Sequence, residues 1–249
     1  MKQSKIFIYG RHAVAEALTR APQNVRKVYI AKSMDDSDLR GLVRRLGVPT
    51  EVLDERKATS QAEGNASHQG IIALISLSGL VVPFDRFIET FEPTPDTALV
   101  FLSEVQDPHN VGAIIRSAAA FGASAVFFAE QNQAGVTGAV IKASAGTVFT
   151  IPLIAVQGTQ QALAALKKTG VKVYGLAGEG KERISSQQFT EATLFVLGNE
   201  SKGIPPAARA LCDKLLSVPM SGRAESLNVA AAGAVALYEW STQHPKVLQ

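Results

Sequence analysis

Between Ala98 and Trp240 the chain repeats one unit: a short apolar run, then a longer segment with helical spacing. The apolar runs fall at Ala98–Glu104, Ala125–Phe128, Val148–Ile151, Lys172–Leu176, Thr193–Leu197 and Lys214–Val218. Helical segments fall at Val111–Phe121, Val136–Ala145, Thr159–Thr169, Pro205–Cys212 and Leu227–Trp240. A strand that is apolar without alternation must be covered on both faces. Helices threaded between such strands therefore predict a parallel α/β sheet with helices on either side. Ligands bind such sheets at the carboxyl ends of the strands. The loops after Glu104, Leu176, Leu197 and Val218 are thus the places to look for chemistry.

The first eighty residues alternate faster. Strands are expected at Ile6–Tyr9, Lys27–Ile30, Val48–Leu53 and Gly70–Leu77, and helices at Arg11–Arg20, Asp36–Leu46 and near Glu55–Gln61. A polar loop is expected from Gly64 to Gly70. This reads as a small three-layer α/β domain over 1–80. Pro83, Pro93 and Pro95 then break the chain, with Phe84, Phe87, Ile88 and Phe91 at helical spacing between them. A linker over 81–96 with a short amphipathic helix follows, and a larger domain over 97–249.

Charge divides along the same boundary. Residues 1–80 hold 12 Lys and Arg against 8 Asp and Glu, a net of +4, whereas the remainder holds 13 against 14. A basic first domain suits contact with a polyanion. A single cysteine, Cys212, rules out an internal disulfide and points to a cytoplasmic setting. The start is too short for a signal peptide, and no apolar run approaches the roughly 18 residues of a membrane span, so no membrane partner is expected.

Three loops carry candidate site residues. In Asp107-Pro108-His109-Asn110-Val111-Gly112, Asp and Pro open a helix as a cap and first-turn residue should. Arg116 lies inside that apolar helix and wants an anionic partner or a cleft, which Asn110 could share. In Leu197-Gly198-Asn199-Glu200-Ser201-Lys202-Gly203-Ile204, the glycines have phosphate-loop spacing, but Ile204-Pro205 stand where Lys-Ser/Thr are required. A nucleoside triphosphatase is excluded, and the glycines are read as allowing close backbone approach to a ligand. Leu176-Ala177-Gly178-Glu179-Gly180 lacks dinucleotide-fold spacing. In Val218–Gly233, Ser226 and Asn228 are expected in the first turn of a small-residue helix, where simple capping would account for either. His12, His68, His109, His244 and Cys212 have no metal-ligand spacing, so no metal is expected. One Arg, one Glu, amides, hydroxyls and glycine backbone suit a transfer reaction. In it a cofactor brings the reactive group and the protein positions it.

Taken together and in order, these loops resemble the motifs of the SpoU (TrmH-like) RNA ribose 2′-O-methyltransferases of the SPOUT superfamily. The resemblance is carried by Asp107–Gly112 with Arg116, by Leu197–Glu200 with Gly203-Ile204, and by Pro219–Gly222 with Ser226–Ala230. Ser201 departs from it, standing where the family often has glycine. Ile8–Val14 and His68–Ile71 further resemble the subgroup with an amino-terminal, ribosomal-protein-like RNA-binding domain. The resemblance implies a carboxyl-terminal trefoil knot, an obligate homodimer whose site is completed across the interface, and S-adenosyl-L-methionine as cofactor. It implies that Leu176, Gly178, Leu197, Gly198, Val218, Met220 and Leu227 bind the cofactor. Arg116 would lie beside the ribose hydroxyl, as base or as positioning group, with Asn110, Glu200, Ser226 and Asn228 orienting it. The implied partner is RNA, with a guanosine of large-subunit ribosomal RNA favoured and no DNA. A transfer RNA guanosine, a ribosomal adenosine or a non-catalytic RNA-binding scaffold are the alternatives.

Overall fold

The computed structural model describes residues 5–54, 68–130 and 132–249. Its first sheet is formed by β1 (Lys5–Tyr9), β2 (Val25–Ile30), β3 (Thr50–Val52) and β4 (Ile71–Ser76) in the order β1-β4-β2-β3. β4 runs antiparallel to both β1 and β2. Helix α1 (Arg11–Arg20) buries Ala13, Val14, Ala17 and Leu18, one stripe of an amphipathic helix. Helix α2 (Ser37–Arg45) begins where Asp36 Oδ1 accepts the Leu39 N–H at 2.9 Å. The expected helix near Glu55–Gln61 and most of the expected loop at 64–70 lie outside the described residues.

The second sheet has the order β10-β12-β9-β11-β6-β7-β8-β5, and every pairing in it is parallel. Its strands are β5 (Val81–Pro83), β6 (Ala98–Leu102), β7 (Ala125–Ala129), β8 (Leu153–Val156), β9 (Lys172–Leu176), β10 (Glu182–Arg183), β11 (Thr193–Leu197) and β12 (Lys214–Ser217). The helices are α3 (Phe84–Ile88), α4 (Pro108–Ala120), α5 (Gly138–Ala143), α6 (Thr159–Lys168), α7 (Pro206–Arg209) and α8 (Val229–Gln243). Successive strand residues feed opposite faces, as the pleat demands. Leu99 and Phe101 join a core with Leu163 and Leu166 of α6, whereas Val100 and Leu102 join one with Ile114 of α4 and Trp240 of α8. No helix among the described residues is long and apolar enough to cross a membrane.

Two expectations are corrected. Val148–Ile151 is not a strand: Thr147–Phe149 forms a 3-10 turn, and the strand begins only after Pro152, at Leu153. Gly146, in the left-handed region at φ 81°, folds the chain back, and Val148 is fully buried as a wedge. An apolar run alone does not separate such a buried turn from a strand. Val81–Pro83, within the stretch read as a linker, pairs parallel to β8 and is the edge strand of the larger sheet. An edge position tolerates proline, which cannot donate to a ladder on both sides.

The short helix α5 joins the two sheets. A Cβ on Gly138 would stand 2.5 Å from the Phe7 carbonyl of β1, and one on Gly112 of α4 would stand 2.5 Å from Ala143 Cβ. The first domain thus rests on α5, α5 rests on α4, and their apolar side chains form one continuous cluster.

Candidate functional site

β12, β9, β11 and β6 are neighbours in the sheet, so their four carboxyl-end loops converge. The loop after β6 is held along its whole length. Ser103 donates its N–H to the Leu197 carbonyl at 2.8 Å. Glu104 is non-glycine yet adopts φ 66°, and Asn199 Nδ2 donates to its carbonyl at 2.9 Å. Fully buried Val105 donates its N–H to Gln133 Oε1 at 2.8 Å, and Gln133 Nε2 donates back to its carbonyl. Gln106 and Asp107 donate their N–H groups to the Glu200 carboxylate at 3.2 and 3.1 Å. β11's loop therefore grips one side and β7's loop the other.

From this frame a chain of side chains runs across the site. Asn110, buried in the first turn of α4, donates Nδ2 to Glu200 Oε1 at 3.0 Å. Asn228 donates Nδ2 to Asn110 Oδ1 at 2.9 Å, while its own Oδ1 accepts the N–H groups of Ala230 and Ala231. Asn228 thus caps α8 and ties it to α4 at once. Burial works to raise the Glu200 pKa, but the hydrogen bonds from Asn110 and the backbone at 106–107 outweigh it. The carboxyl is held below its ordinary value and stays ionised.

Beside this network lies a cavity of about 600 Å³, lined by Leu176, Gly178, Leu197, Gly198, Val218, Met220 and Leu227 together with Glu200, Ser226 and Asn228. All seven residues expected at a cofactor pocket line it. Its size and its mixture of leucine walls and backbone groups suit a nucleoside-bearing ligand. Gly198 is required: a Cβ there would meet Gly203 C and Ile204 N at 2.3 Å. The loop beyond it closes on itself, because Asn199 exchanges backbone hydrogen bonds with Gly203 and its side chain accepts the N–H groups of Ser201 and Lys202. Those donors are consumed internally and do not cradle a phosphate. At the rim Arg209 donates to Glu179. Burial first, then Asp213, push the Cys212 thiol up to about 11, so it is no thiolate nucleophile near neutral pH.

Three expectations fall differently. The final helix starts at Val229 rather than Leu227, so Ser226 sits in the preceding exposed loop, not in a first turn. The helix expected over Pro205–Cys212 shortens to Pro206–Arg209. Arg116 is exposed on α4 and does not line the cavity of its own chain. Six residues from Asn110, it lies about 120° around the helix from it. Gln133 is a site residue that the sequence does not announce. It lies outside the three motif loops, and nothing local distinguishes it from any surface glutamine.

Comparison with known proteins agrees with this geometry. Residues 97–238 match the model of the SpoU rRNA methylase family, and residues 7–79 match the model for RNA 2′-O ribose methyltransferase substrate binding. The chain is 31% identical over 240 residues to a Nitrosomonas europaea 23S rRNA (guanosine-2′-O-)-methyltransferase RlmB, covering 96% of this chain and 92% of the relative. It is 35% identical over 237 residues to the protein of that name from Pseudomonas putida, covering 93% and 94%. Among solved structures, the SpoU methyltransferase AviRb from Streptomyces viridochromogenes in complex with AdoMet superposes with a TM-score of 0.81 at 26% identity. That match covers 97% of this chain and 91% of the other. With both of its domains matched and its converging loops in place, the chain belongs to the SpoU rRNA methylase family.

Proposed function

We propose that the chain transfers a methyl group from S-adenosyl-L-methionine to the ribose 2′-hydroxyl of a guanosine in 23S ribosomal RNA. The observation that carries this reading is the 600 Å³ cavity at the ends of β9, β11 and β12, set directly beside the Asn110–Glu200–Asn228 network. The names of the relatives supply the RNA. S-adenosyl-L-methionine supplies an electrophilic methyl group on a sulfonium. The chain's part is positioning and charge. Leu176, Leu197, Val218, Met220 and Leu227 enclose the adenosine and exclude water, while Gly178 and Gly198 let the backbone approach it. Asn110, Glu200 and Asn228 fix the amino ends of α4 and α8, and Ser226 orients the substrate from its loop. Arg116 would position the ribose and stabilise the developing alkoxide, the hydroxyl proton passing to water and S-adenosylhomocysteine being the leaving group. A guanidinium does not lose its proton readily, so this role suits it better than that of a base.

Residues 1–80 hold the RNA and 97–249 carry out transfer, while 81–96, read as a linker, adds the edge strand β5 and the packed helix α3 to the transferring domain. The active form is a homodimer: Ala231, Val235 and Tyr238 form an exposed apolar stripe on α8, and Arg116 is exposed on α4 without lining its own cavity. Knotting of the carboxyl-terminal segment is supported by the strand order. The chain leaves β12, outside β9, and its last helix α8 comes back to pack on α4. Such a ribosomal RNA enzyme works in the cytoplasm. The test is incubation of the protein and labelled cofactor with 23S ribosomal RNA and with transfer RNA, followed by mapping of the methylated nucleotide. Label on a 23S guanosine is expected. Label confined to transfer RNA, or none on any RNA, would overturn the assignment.

A further inference from the structure

Gln133 satisfies both backbone groups of Val105. It accepts the Val105 N–H at 2.8 Å and donates to the Val105 carbonyl, which also takes the Ala134 N–H at 3.0 Å. Val105 is fully buried, and the residue before it, Glu104, holds a left-handed backbone that costs a non-glycine side chain about 1 kcal/mol or more. A turn of that kind relaxes unless its neighbours fix it. Asn199 fixes it from the β11 side, through the Glu104 carbonyl. Among the described residues, the β7 side opposes that pull, through the Gln133 side chain and the Ala134 N–H. Two residues further on, the same strand of backbone delivers the N–H groups that meet Glu200, and then Asn110. A loss of tension at Val105 therefore reaches the Glu200 carboxylate within about 7 Å of extended chain.

We infer that Gln133 is a positioning residue for methyl transfer: it is the β7-side half of a two-sided clamp that sets the start of α4 against Glu200. The inference rests on the methyltransferase reading above. Gln133 touches neither the cavity nor the network itself and acts through the Val105 backbone. Its loss should therefore lower turnover and leave cofactor affinity alone. A merely structural residue would lower stability without that split.

The experiment uses the full-length protein and two variants. Gln133→Met keeps length and volume but has neither hydrogen bond. Gln133→Glu keeps the acceptor for Val105 N–H and loses the donor. Hydrogen exchange over residues 103–110, affinity for S-adenosylhomocysteine by calorimetry, and single-turnover methyl transfer are measured on each. Gln133→Met should exchange faster over 103–110 and transfer roughly 10- to 100-fold more slowly, as a displacement of about 1 Å in a site can do. Its cofactor affinity should stay within about twofold, and Gln133→Glu should fall between it and the parent. Unchanged exchange, unchanged transfer, or equal losses of transfer and affinity would each overturn the clamp. A parent protein that transfers to no RNA would instead sink the methyltransferase reading, and the positioning role with it.

Discussion

Glu200 meets three N–H donors, two from the backbone and one from Asn110, so its ionised form is built into the site. Glu200→Gln keeps the shape but offers one acceptor oxygen and turns an amide toward a donor. Losing a hydrogen bond to a charged group costs about 1.5–3 kcal/mol, so turnover should drop roughly 10- to 100-fold. Single-turnover transfer, with cofactor affinity measured beside it, checks this. The sign of the pH dependence follows from the lowered pKa. The network is complete above the ordinary carboxyl value of 4.5 and is lost as pH falls through the lower, folded value. The protection of the Gln106 and Asp107 amides, measured as exchange relative to the intrinsic rate at each pH, should therefore fall only in acid below that point. At Gly198 the obstacle is backbone rather than a movable side chain, so Gly198→Val should abolish measurable cofactor binding. Binding near the parent value in calorimetry would contradict the placement of the pocket.

At the scale of elements, α4 and α5 meet at a close seam. Gly112→Ala places a methyl against Ala143 Cβ and the Val140 carbonyl, within 2.5–2.7 Å, and should destabilise the fold by about 1–3 kcal/mol in denaturant titration. Much of the site is legible in the sequence because its signals are local. Asp107-Pro108 announces a helix start and Asn228 a cap, and both are met; Gly198 does allow a close backbone approach, but to Gly203 and Ile204 of its own loop, whereas Gly203 faces open space at φ 68°. The features that are not legible depend on tertiary partners. Val148 is as apolar as any strand residue, yet it plugs a turn set by Gly146. Val81–Pro83 becomes a strand only because β8 lies beside it. Gln133 meets Val105 across 28 residues, and Asn199 meets Glu104 across 95, so no spacing rule reaches them.

For the whole molecule, the position of Arg116 decides how many chains make one site. If its own cavity is served by its own guanidinium, two defective chains cannot help one another. If the guanidinium serves the partner's cavity, a heterodimer of Arg116→Ala and Gly198→Val contains one site with both parts intact. Random mixing of the two inactive proteins makes about half the dimers mixed, each with one working site of two, which returns about a quarter of parental activity. The exposed stripe of Ala231, Val235 and Tyr238 on α8, together with an exposed Arg116 that does not line its own cavity, favours the shared arrangement. The two proteins are unfolded and refolded together, so that mixed dimers form whatever the exchange rate of the proposed interface. Recovery of transfer to RNA in the refolded mixture, with none in either variant alone, is the expected result. A mixture as inactive as its components, with mixed dimers demonstrated by tagged pull-down, would confine Arg116 to its own chain. It would also remove the dimer from the chemistry.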